Sequence, residues 1–324
     1  QEASESTKRG KLSQINSASA SAPAKRALAC AVGLYTTTTV SPLPNAGSIS
    51  ITLPEVGIKE PLLIDTIQLK NLAIQSLLVL YIGICGPDHP SIAIKAHSEI
   101  PTGSGLGSSA SFCVSLAAAL LLSVGDIAEK GRDAKDLQLV NEWALCGETV
   151  LHGCNICLIL YIQLTKFSRF PSLRTLLTNT RVEKDTKKQV GIVTSRMTHF
   201  PSVTTPLINS IDEIVGTVCD SLAKSNTNAE ICETLNPLIQ MNHGILVALG
   251  VSHPALEKVV NIAAGKGLMT KLTGAGGGGC CVTLLPDVYE GVDEIKKELE
   301  VDCGFECLEA KVGCDGVRWW VTKP

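Results

Sequence analysis

The spacing of hydrophobic and polar residues along the chain predicts a mixture of strands and helices. Residues 48–53 alternate between apolar and polar side chains with a period of two, which is typical of a half-buried strand. Residues 72–84 form an almost unbroken apolar run that predicts a buried helix, and residues 91–96 again predict a strand. Apolar positions three or four residues apart across residues 136–151 predict an amphipathic helix. An apolar run at residues 27–32 predicts a short strand near the start of the chain.

The second half of the chain shows the same two periodicities. Helices are predicted at residues 206–224, 228–249, 254–266 and 293–300, and strands at residues 176–182, 281–285 and 305–312. We therefore predict the α/β fold class, with one domain at residues 21–171 and a second at residues 172–324. Residues 1–20 carry too little apolar surface to pack, and we expect them to form a disordered lead-in.

Composition narrows the possible functions. The chain has 324 residues, of which 45% are hydrophobic and 18% charged, and its net charge is -3, which is typical of a globular protein of about two domains. No basic stripe indicates nucleic-acid binding, and no apolar run reaches the roughly 18 residues of a membrane span. We therefore expect a small-molecule partner. Thirteen scattered cysteines, an odd number, argue against a disulfide framework and favour a cytoplasmic location.

A glycine-rich loop at residues 101–111 is the clearest candidate site. Its glycines, Gly103, Gly105 and Gly107, permit left-handed backbone conformations and close approach to a ligand, and two serines follow where a helix is expected to begin. A helix N-terminus of this kind binds anions, because its N–H groups are exposed and the helix dipole is positive there. The sequence therefore indicates a phosphate-binding loop, with a flexible turn before a buried helix as the alternative.

A second glycine-rich segment lies at residues 271–280. It contains the pattern Gly-x-Gly-x-x-Gly, which in dinucleotide-binding folds lies between a strand and a following helix. Here a strand is predicted after the glycines, at residues 281–285. This order excludes a Rossmann-type dinucleotide site.

The segment Pro101-x-x-x-Gly105-Leu-Gly-Ser-Ser-Ala110 resembles the central motif of the GHMP small-molecule kinases, and it lacks the Gly-Lys-Ser/Thr of a Walker A loop. Residues 147–153 and 176–182 resemble segments of the mevalonate kinase family, and residues 271–280 resemble the third GHMP motif. The resemblance implies a two-domain α+β kinase fold with the nucleotide site between the domains. It implies ATP and Mg²⁺ as cofactors and mevalonate as the acceptor, and it leaves a homodimer open.

The resemblance also implies roles for individual residues. Nucleotide binding is implied for Pro101, Gly103, Ser104, Gly105, Leu106, Gly107, Ser108, Ser109 and Ala110. Magnesium ligation is implied for Ser109 and Glu148, and proximity to the substrate or the transferred phosphate for Thr186, Gly274, Ala275, Gly276 and Gly277. Lys25 resembles the active-site lysine of the family. Three of these residues have simpler alternatives: Lys25 as a solvated lysine at a strand end, Glu148 as a surface charge and Thr186 as an ordinary loop residue.

The sequence departs from the family pattern in two places. After Lys25 the Gly-Glu-His segment of the family is absent, and the chain continues directly into residues 27–32. Where the family has Asn-Pro-Ser-Gly-x-Asp-Asn, with the proposed catalytic aspartate, residues 154–170 contain no aspartate or glutamate. The pair Cys154-x-x-Cys157 in this replacement has the spacing of a metal or redox motif, but no second pair accompanies it. An altered splice or an error in the gene model would explain both departures.

We therefore predict an ATP-dependent kinase that phosphorylates mevalonate to 5-phosphomevalonate in isoprenoid and sterol biosynthesis, with turnover impaired by the missing aspartate. Two alternatives stay open on the sequence alone. One is another GHMP kinase, of the galactokinase or homoserine kinase type. The other is an inactive ATP-binding regulatory protein.

Overall fold

The computed structural model describes residues 25–28, 30–44, 48–63, 71–86, 90–129, 133–152, 171–224 and 227–321. These residues form eight strands and eight α-helices, and the strands are divided between two four-stranded sheets. The α/β class predicted from the sequence is confirmed. The expectations for residues 1–20 and for residues 154–170, including Cys154-x-x-Cys157, lie outside the described residues.

The first sheet is built from strands in the N-terminal third of the chain. Its members are β1 (Thr36–Pro42), β2 (Ile49–Leu53), β3 (Ile58–Leu63) and β4 (Ile92–Ser98), in the order β1-β4-β2-β3. The central strand β4 pairs antiparallel with β1 and parallel with β2. This part of the chain also contains three helices: α1 (Leu72–Cys85), which lies between β3 and β4, and α2 (Ser108–Val124) and α3 (Ala134–His152), which follow β4. The alternation predicted for β2 buries Ile51 and Leu53, which share one apolar cluster with Leu77 and Leu80 of α1.

The second sheet is entirely antiparallel. Its strands are β5 (Leu173–Asn179), β6 (Thr270–Leu272), β7 (Cys280–Leu285) and β8 (Glu306–Val312), in the order β6-β7-β5-β8. The helices of this half are α4 (Thr186–His199), α5 (Pro201–Lys224), α6 (Asn228–Ala248), α7 (Pro254–Gly265) and α8 (Val292–Lys297), and a π-helical turn, Glu298–Asp302, follows α8. Leu256 of α7 and Ile295 of α8 are fully buried in one apolar cluster with Leu176 and Leu272 of the sheet.

The strand predicted at residues 27–32 is wrong for the residues that the structure describes there. Val32 makes a single antiparallel bridge with Val312 of β8. Arg26 is held on α5, because its backbone N–H and its guanidinium both donate to the Asp212 carboxylate. These contacts attach the segment to the second sheet and its helices, and the edge of the first sheet is formed instead by β1, whose threonine-rich sequence we do not predict as a strand.

The hydrophobic pattern also fails to predict α4, because Gln189 is the one buried residue of this helix. Its start is set by Asp185, whose side chain accepts a hydrogen bond from the Lys188 N–H at 2.9 Å, as an N-cap does. The next helix, α5, begins at Pro201 and not at residue 206 as predicted, and Pro206 lies inside it. Among the described helices, none combines the length and the apolar character of a membrane span.

Candidate functional site

The first glycine loop connects β4 to α2 and has the backbone geometry that its sequence predicts. Gly105 and Gly107 adopt left-handed conformations, with φ values of 81° and 83°. Ser104 is buried, and its hydroxyl donates to the Pro101 carbonyl at 2.7 Å, which closes the loop on itself. Since α2 begins at Ser108, directly after Gly107, the N–H groups of the first helical turn point toward the loop.

A cavity of about 460 Å³ opens beside this loop, a volume within the usual range of small-molecule sites. Leu53, Ala96 and Phe112 contribute an apolar wall, whereas Gly105 and Ser109 contribute backbone and hydroxyl groups. An apolar slot next to a helix N-terminus suits a molecule with a flat ring at one end and phosphates at the other.

A carboxylate and an imidazole that the sequence did not single out also line this cavity. His97 Nδ1 is 2.6 Å from Glu55 Oε1, and the same oxygen accepts the Ser98 N–H at 3.1 Å. Burial acts to raise the pKa of the Glu55 carboxyl, but the backbone hydrogen bonds and His97 outweigh it, so that this pKa lies below its usual value. Glu55 therefore brings a negative charge to the side of the cavity formed by the first sheet.

The second glycine segment is a hairpin loop between β6 and β7, and it contacts the first loop. The Cys280 N–H donates to the Ser104 carbonyl at 3.2 Å, which joins the two loops directly. The Gly277 N–H donates to the Val251 carbonyl at 2.8 Å, and a Cβ at Gly276 would lie 2.0 Å from that same oxygen. The hairpin is therefore fixed against the connection between α6 and α7. Residues 274–277, which the resemblance places near the transferred phosphate, adjoin the cavity and are not part of its lining.

His243 supports the strand that leads into this hairpin. The side chain is 6% exposed, its Nδ1 accepts the Leu272 N–H at 3.3 Å, and its Nε2 is 3.1 Å from Glu257 Oε1. Because Nδ1 is the acceptor, Nε2 carries the proton and donates to the carboxylate. The Ser252 hydroxyl donates to the same carboxylate oxygen. His243 thus ties β6 to α6 and α7, a role that a single histidine in a helical pattern does not reveal.

Lys184 lies where the two glycine loops meet, and it lines the cavity together with Thr186. A Cβ at Gly105 would be 1.9 Å from Lys184 Nζ, and a Cβ at Gly274 would be 3.2 Å from it. Burial lowers the pKa of Lys184. Sequence reasoning missed this residue, because a lysine flanked by Glu183 and Asp185 in a polar segment looks like an ordinary surface charge.

Of the two residues implied as magnesium ligands, Ser109 lines the cavity and Glu148 does not. Glu148 is half-buried on α3 and lies against Cys113 of α2. Cys113 is about one helical turn after Ser109 on the same helix. Burial, with a smaller contribution from Glu148, raises the pKa of the Cys113 thiol to about 12. Among the described residues no group of three or more histidine, cysteine, aspartate or glutamate side chains could hold a metal. A hydroxyl and one carboxylate are nevertheless the oxygen donors that Mg²⁺ uses when phosphates and water complete its coordination.

Lys25 is not brought to the cavity. Its side chain is exposed and donates to Asn209 Oδ1 of α5 at 2.7 Å, so its role as the active-site lysine stays a prediction. Pro101, Leu106 and Ala110 belong to the loop and the start of α2, and their side chains do not line the cavity. The cavity thus combines the loop glycines, Ser108, Ser109 and Thr186 with a lysine that was not predicted.

Comparisons with known proteins agree with this arrangement. A model of the GHMP kinases N terminal domain matches residues 71–160, which contain the first loop and Glu148, and a model of the GHMP kinases C terminal region matches residues 228–301, which contain the second loop. The chain is 35% identical to a mevalonate kinase of Mus musculus, over 90% of this chain and 89% of that protein. It is 39% identical to a mevalonate kinase of Bos taurus, over 78% of this chain and 70% of that protein. The fold matches a crystal structure of L. major mevalonate kinase in complex with R-mevalonate with a TM-score of 0.68 and 19% sequence identity, over 87% of this chain and 88% of that one.

Proposed function

This chain belongs to the mevalonate kinase family of the GHMP kinases, and from that premise we propose that it transfers the terminal phosphate of ATP to mevalonate. The product is 5-phosphomevalonate, an intermediate of isoprenoid biosynthesis. The observation that carries the proposal is the junction of the two glycine loops, where the Cys280 N–H donates to the Ser104 carbonyl beside the cavity. The second loop thereby lies against the first loop and near the N-terminus of α2, which supports one shared site.

The geometry suits phosphoryl transfer because that reaction asks the protein mainly for positioning and charge stabilisation. The N–H groups at the start of α2, after Gly107, are aimed at the loop that would hold the phosphates. The hairpin adjoins the first loop, and the hydrogen bond from Gly277 to Val251 fixes it there. A preorganised arrangement of this kind stabilises charge without reorganising during the reaction.

Mg²⁺ is held by Ser109 and Glu148 in this proposal. Both residues offer hard oxygen donors, and they lie on α2 and on the helix packed beside it, α3. When bound, the ion neutralises charge on the phosphates of ATP.

Turnover is expected to be slow. Residues 154–170, where the family carries its proposed catalytic aspartate, contain no aspartate or glutamate. Loss of a positioned general base typically lowers a rate by about 10²–10⁴, whereas the phosphate-binding loops do not depend on that base. We therefore expect the chain to bind ATP but to transfer its phosphate slowly. The missing aspartate also keeps an ATP-binding regulatory protein as the second candidate function.

Two domains, residues 21–171 and 172–324, are proposed to enclose the nucleotide. Each of them holds one of the two sheets. Several contacts cross between them, among them the hydrogen bond from the Cys280 N–H to the Ser104 carbonyl, the bridge from Val32 to β8, and the hydrogen bond from the Trp319 indole N–H to the Ala128 carbonyl at 2.9 Å. These crossings support a fixed relative position of the loops.

A cytoplasmic location and a homodimer complete the proposal. The cysteines among the described residues are all free of disulfides, which supports a reducing compartment. Phe200 and Val203, at the corner between α4 and α5, are each 62% exposed, and exposed apolar side chains of this kind support a subunit contact. Light scattering of the purified protein measures the assembly.

The proposed function is tested by isothermal titration with ATP and Mg²⁺, followed by a long coupled assay of ADP release. The proposal expects binding of ATP and slow ADP release that depends on mevalonate. Release that depends on galactose or homoserine, and not on mevalonate, would contradict it. ATP binding without release for any acceptor would favour the regulatory protein.

A further inference from the structure

The side chain of Lys184 lies in a narrow channel at the junction of the two loops, and glycine backbone from both loops lines this channel. The Cβ position at Gly105 is 1.9 Å from Nζ, and the Cβ position at Gly274 is 3.2 Å from it. The Cβ position at Gly279 is 3.3 Å from Lys184 Cδ. A side chain at Gly105 would displace the lysine, and side chains at Gly274 and Gly279 would press closely against it, so the glycines of the two loops make room for this side chain.

This ammonium group has no counterion among the residues that the structure describes, since no hydrogen bond or ion pair connects it with any of them. The side chain of Asp185, next in sequence, accepts from the Lys188 N–H at the start of α4. The neighbouring Cys280 thiol stays neutral, because burial raises its pKa to about 12. A half-buried cation without a partner is unfavourable, and an anion that enters the channel would remove this penalty.

The position of the ammonium specifies which part of an anionic ligand it meets. In the proposed function the phosphates lie along the first loop and the N-terminus of α2, and the hairpin with Gly274 adjoins that loop at the hydrogen bond from Cys280 to Ser104. Because Lys184 Nζ lies close to both Gly105 and Gly274, it would meet the part of a bound phosphate chain that lies between the two loops.

We propose that Lys184 binds the terminal phosphate of the nucleotide between the two loops and supplies there the positive charge that Lys25 does not bring to the cavity. This assignment rests on the proposed function, since it takes ATP as the ligand. A charge-assisted hydrogen bond to that phosphate holds it against both loops and stabilises charge during transfer.

Isothermal titration of ATP and ADP, each with Mg²⁺, tests the assignment on the full chain. Lys184→Met removes the charge and keeps the length of the side chain, and Lys184→Arg keeps the charge. Lys187→Met is the matched control, because Lys187 is an exposed lysine of α4 outside the cavity lining. Lys184→Met should weaken ATP binding by about ten- to a hundredfold and ADP binding much less. Lys184→Arg should retain most of the affinity for ATP, and Lys187→Met should retain both affinities.

Thermal unfolding separates this role from a structural one. A lysine that served the fold would lower the melting temperature when replaced, whereas removal of a cation without a counterion should leave that temperature unchanged or raise it. If Lys184→Met does not fold, Lys184→Gln provides the same neutral replacement. Unchanged ATP affinity, or equal losses for ATP and ADP, would overturn the assignment while the proposed function stands. Failure of the wild-type chain and the Lys187→Met control to bind either nucleotide would overturn both.

Discussion

Alanine at Gly105 tests the contact between the first glycine loop and Lys184. The added Cβ would lie 1.9 Å from Lys184 Nζ and 2.8 Å from its Cε, so the end of the lysine side chain has to leave the junction. Gly103→Ala is a matched control in the same loop. Gly103 also has a positive φ, 70°, but a Cβ there meets nothing within 4 Å.

Gly105→Ala and Gly103→Ala cause the same backbone strain, but only Gly105→Ala also displaces Lys184. Each places a residue with a Cβ in a left-handed conformation, which costs about 1–2 kcal/mol. Gly105→Ala would also displace Lys184 from the phosphate that we propose it binds, and a hydrogen bond to a charged group contributes about 1.5–3 kcal/mol. Since about 1.4 kcal/mol is a factor of ten, Gly105→Ala should weaken ATP binding about ten- to a hundredfold more than Gly103→Ala does.

Isothermal titration with ATP and Mg²⁺ measures this difference. A double-mutant cycle with Lys184→Met adds a second test, because both substitutions remove the same contact. The double variant should bind ATP little more weakly than Lys184→Met alone, apart from the strain at Gly105. Equal losses in Gly105→Ala and Gly103→Ala, or fully additive losses in the cycle, would refute the idea that this glycine accommodates the lysine.

Three further results are expected. Ser109→Ala and Glu148→Gln should each weaken ATP binding in the presence of Mg²⁺ and change it much less in a chelator, because each removes a proposed ligand of the ion; titrations that show no change in either variant would remove these residues from the site. His243→Ala should lower the free energy of unfolding in urea by about 2–4 kcal/mol, since it leaves the Leu272 N–H buried without an acceptor and opens a cavity; a loss below about 0.5 kcal/mol would be ordinary surface behaviour and would contradict the role. Burial lowers the pKa of Lys184, and only its protonated form attracts phosphate, so the contribution of Lys184 to ATP affinity is full below that pKa and lost above it. As the pH rises into the alkaline range, the wild type should therefore lose affinity for ATP at a lower pH than Lys184→Arg does, because the guanidinium stays charged. Identical pH profiles of ATP affinity for the two proteins would contradict the role of the Lys184 charge.

The first glycine loop could be predicted from the sequence because its conformation depends on residues within it. Gly105, Gly107 and Ser108 are close neighbours, and their types alone indicate a left-handed turn that leads into a helix. Lys184 could not be predicted in the same way. Its environment is made by Gly105 and Gly274 from distant parts of the chain. The residues next to Lys184 in the sequence give no indication that these two loops contact each other.

The errors in the predicted elements have the same origin. An apolar run at residues 27–32 looks like a strand, but the Asp212 carboxylate holds Arg26 on α5, and pairing is limited to the bridge at Val32. For α4, burial is confined to Gln189, so the helix shows no apolar face. Its N-cap, Asp185, is the one local signal from which the start could have been found.

Single-turnover phosphorylation of mevalonate by the purified chain, at saturating ATP and Mg²⁺, tests the central claim most directly. The claim is that the site between the two glycine loops binds ATP and transfers its phosphate to mevalonate slowly, because residues 154–170 contain no carboxylate. We expect 5-phosphomevalonate to form at a rate at least about a hundredfold below the roughly 1–100 s⁻¹ of ordinary kinases. A rate within that ordinary range would show that the missing aspartate is not needed. Absence of any mevalonate-dependent product, together with absence of ATP binding, would contradict the assignment as a kinase.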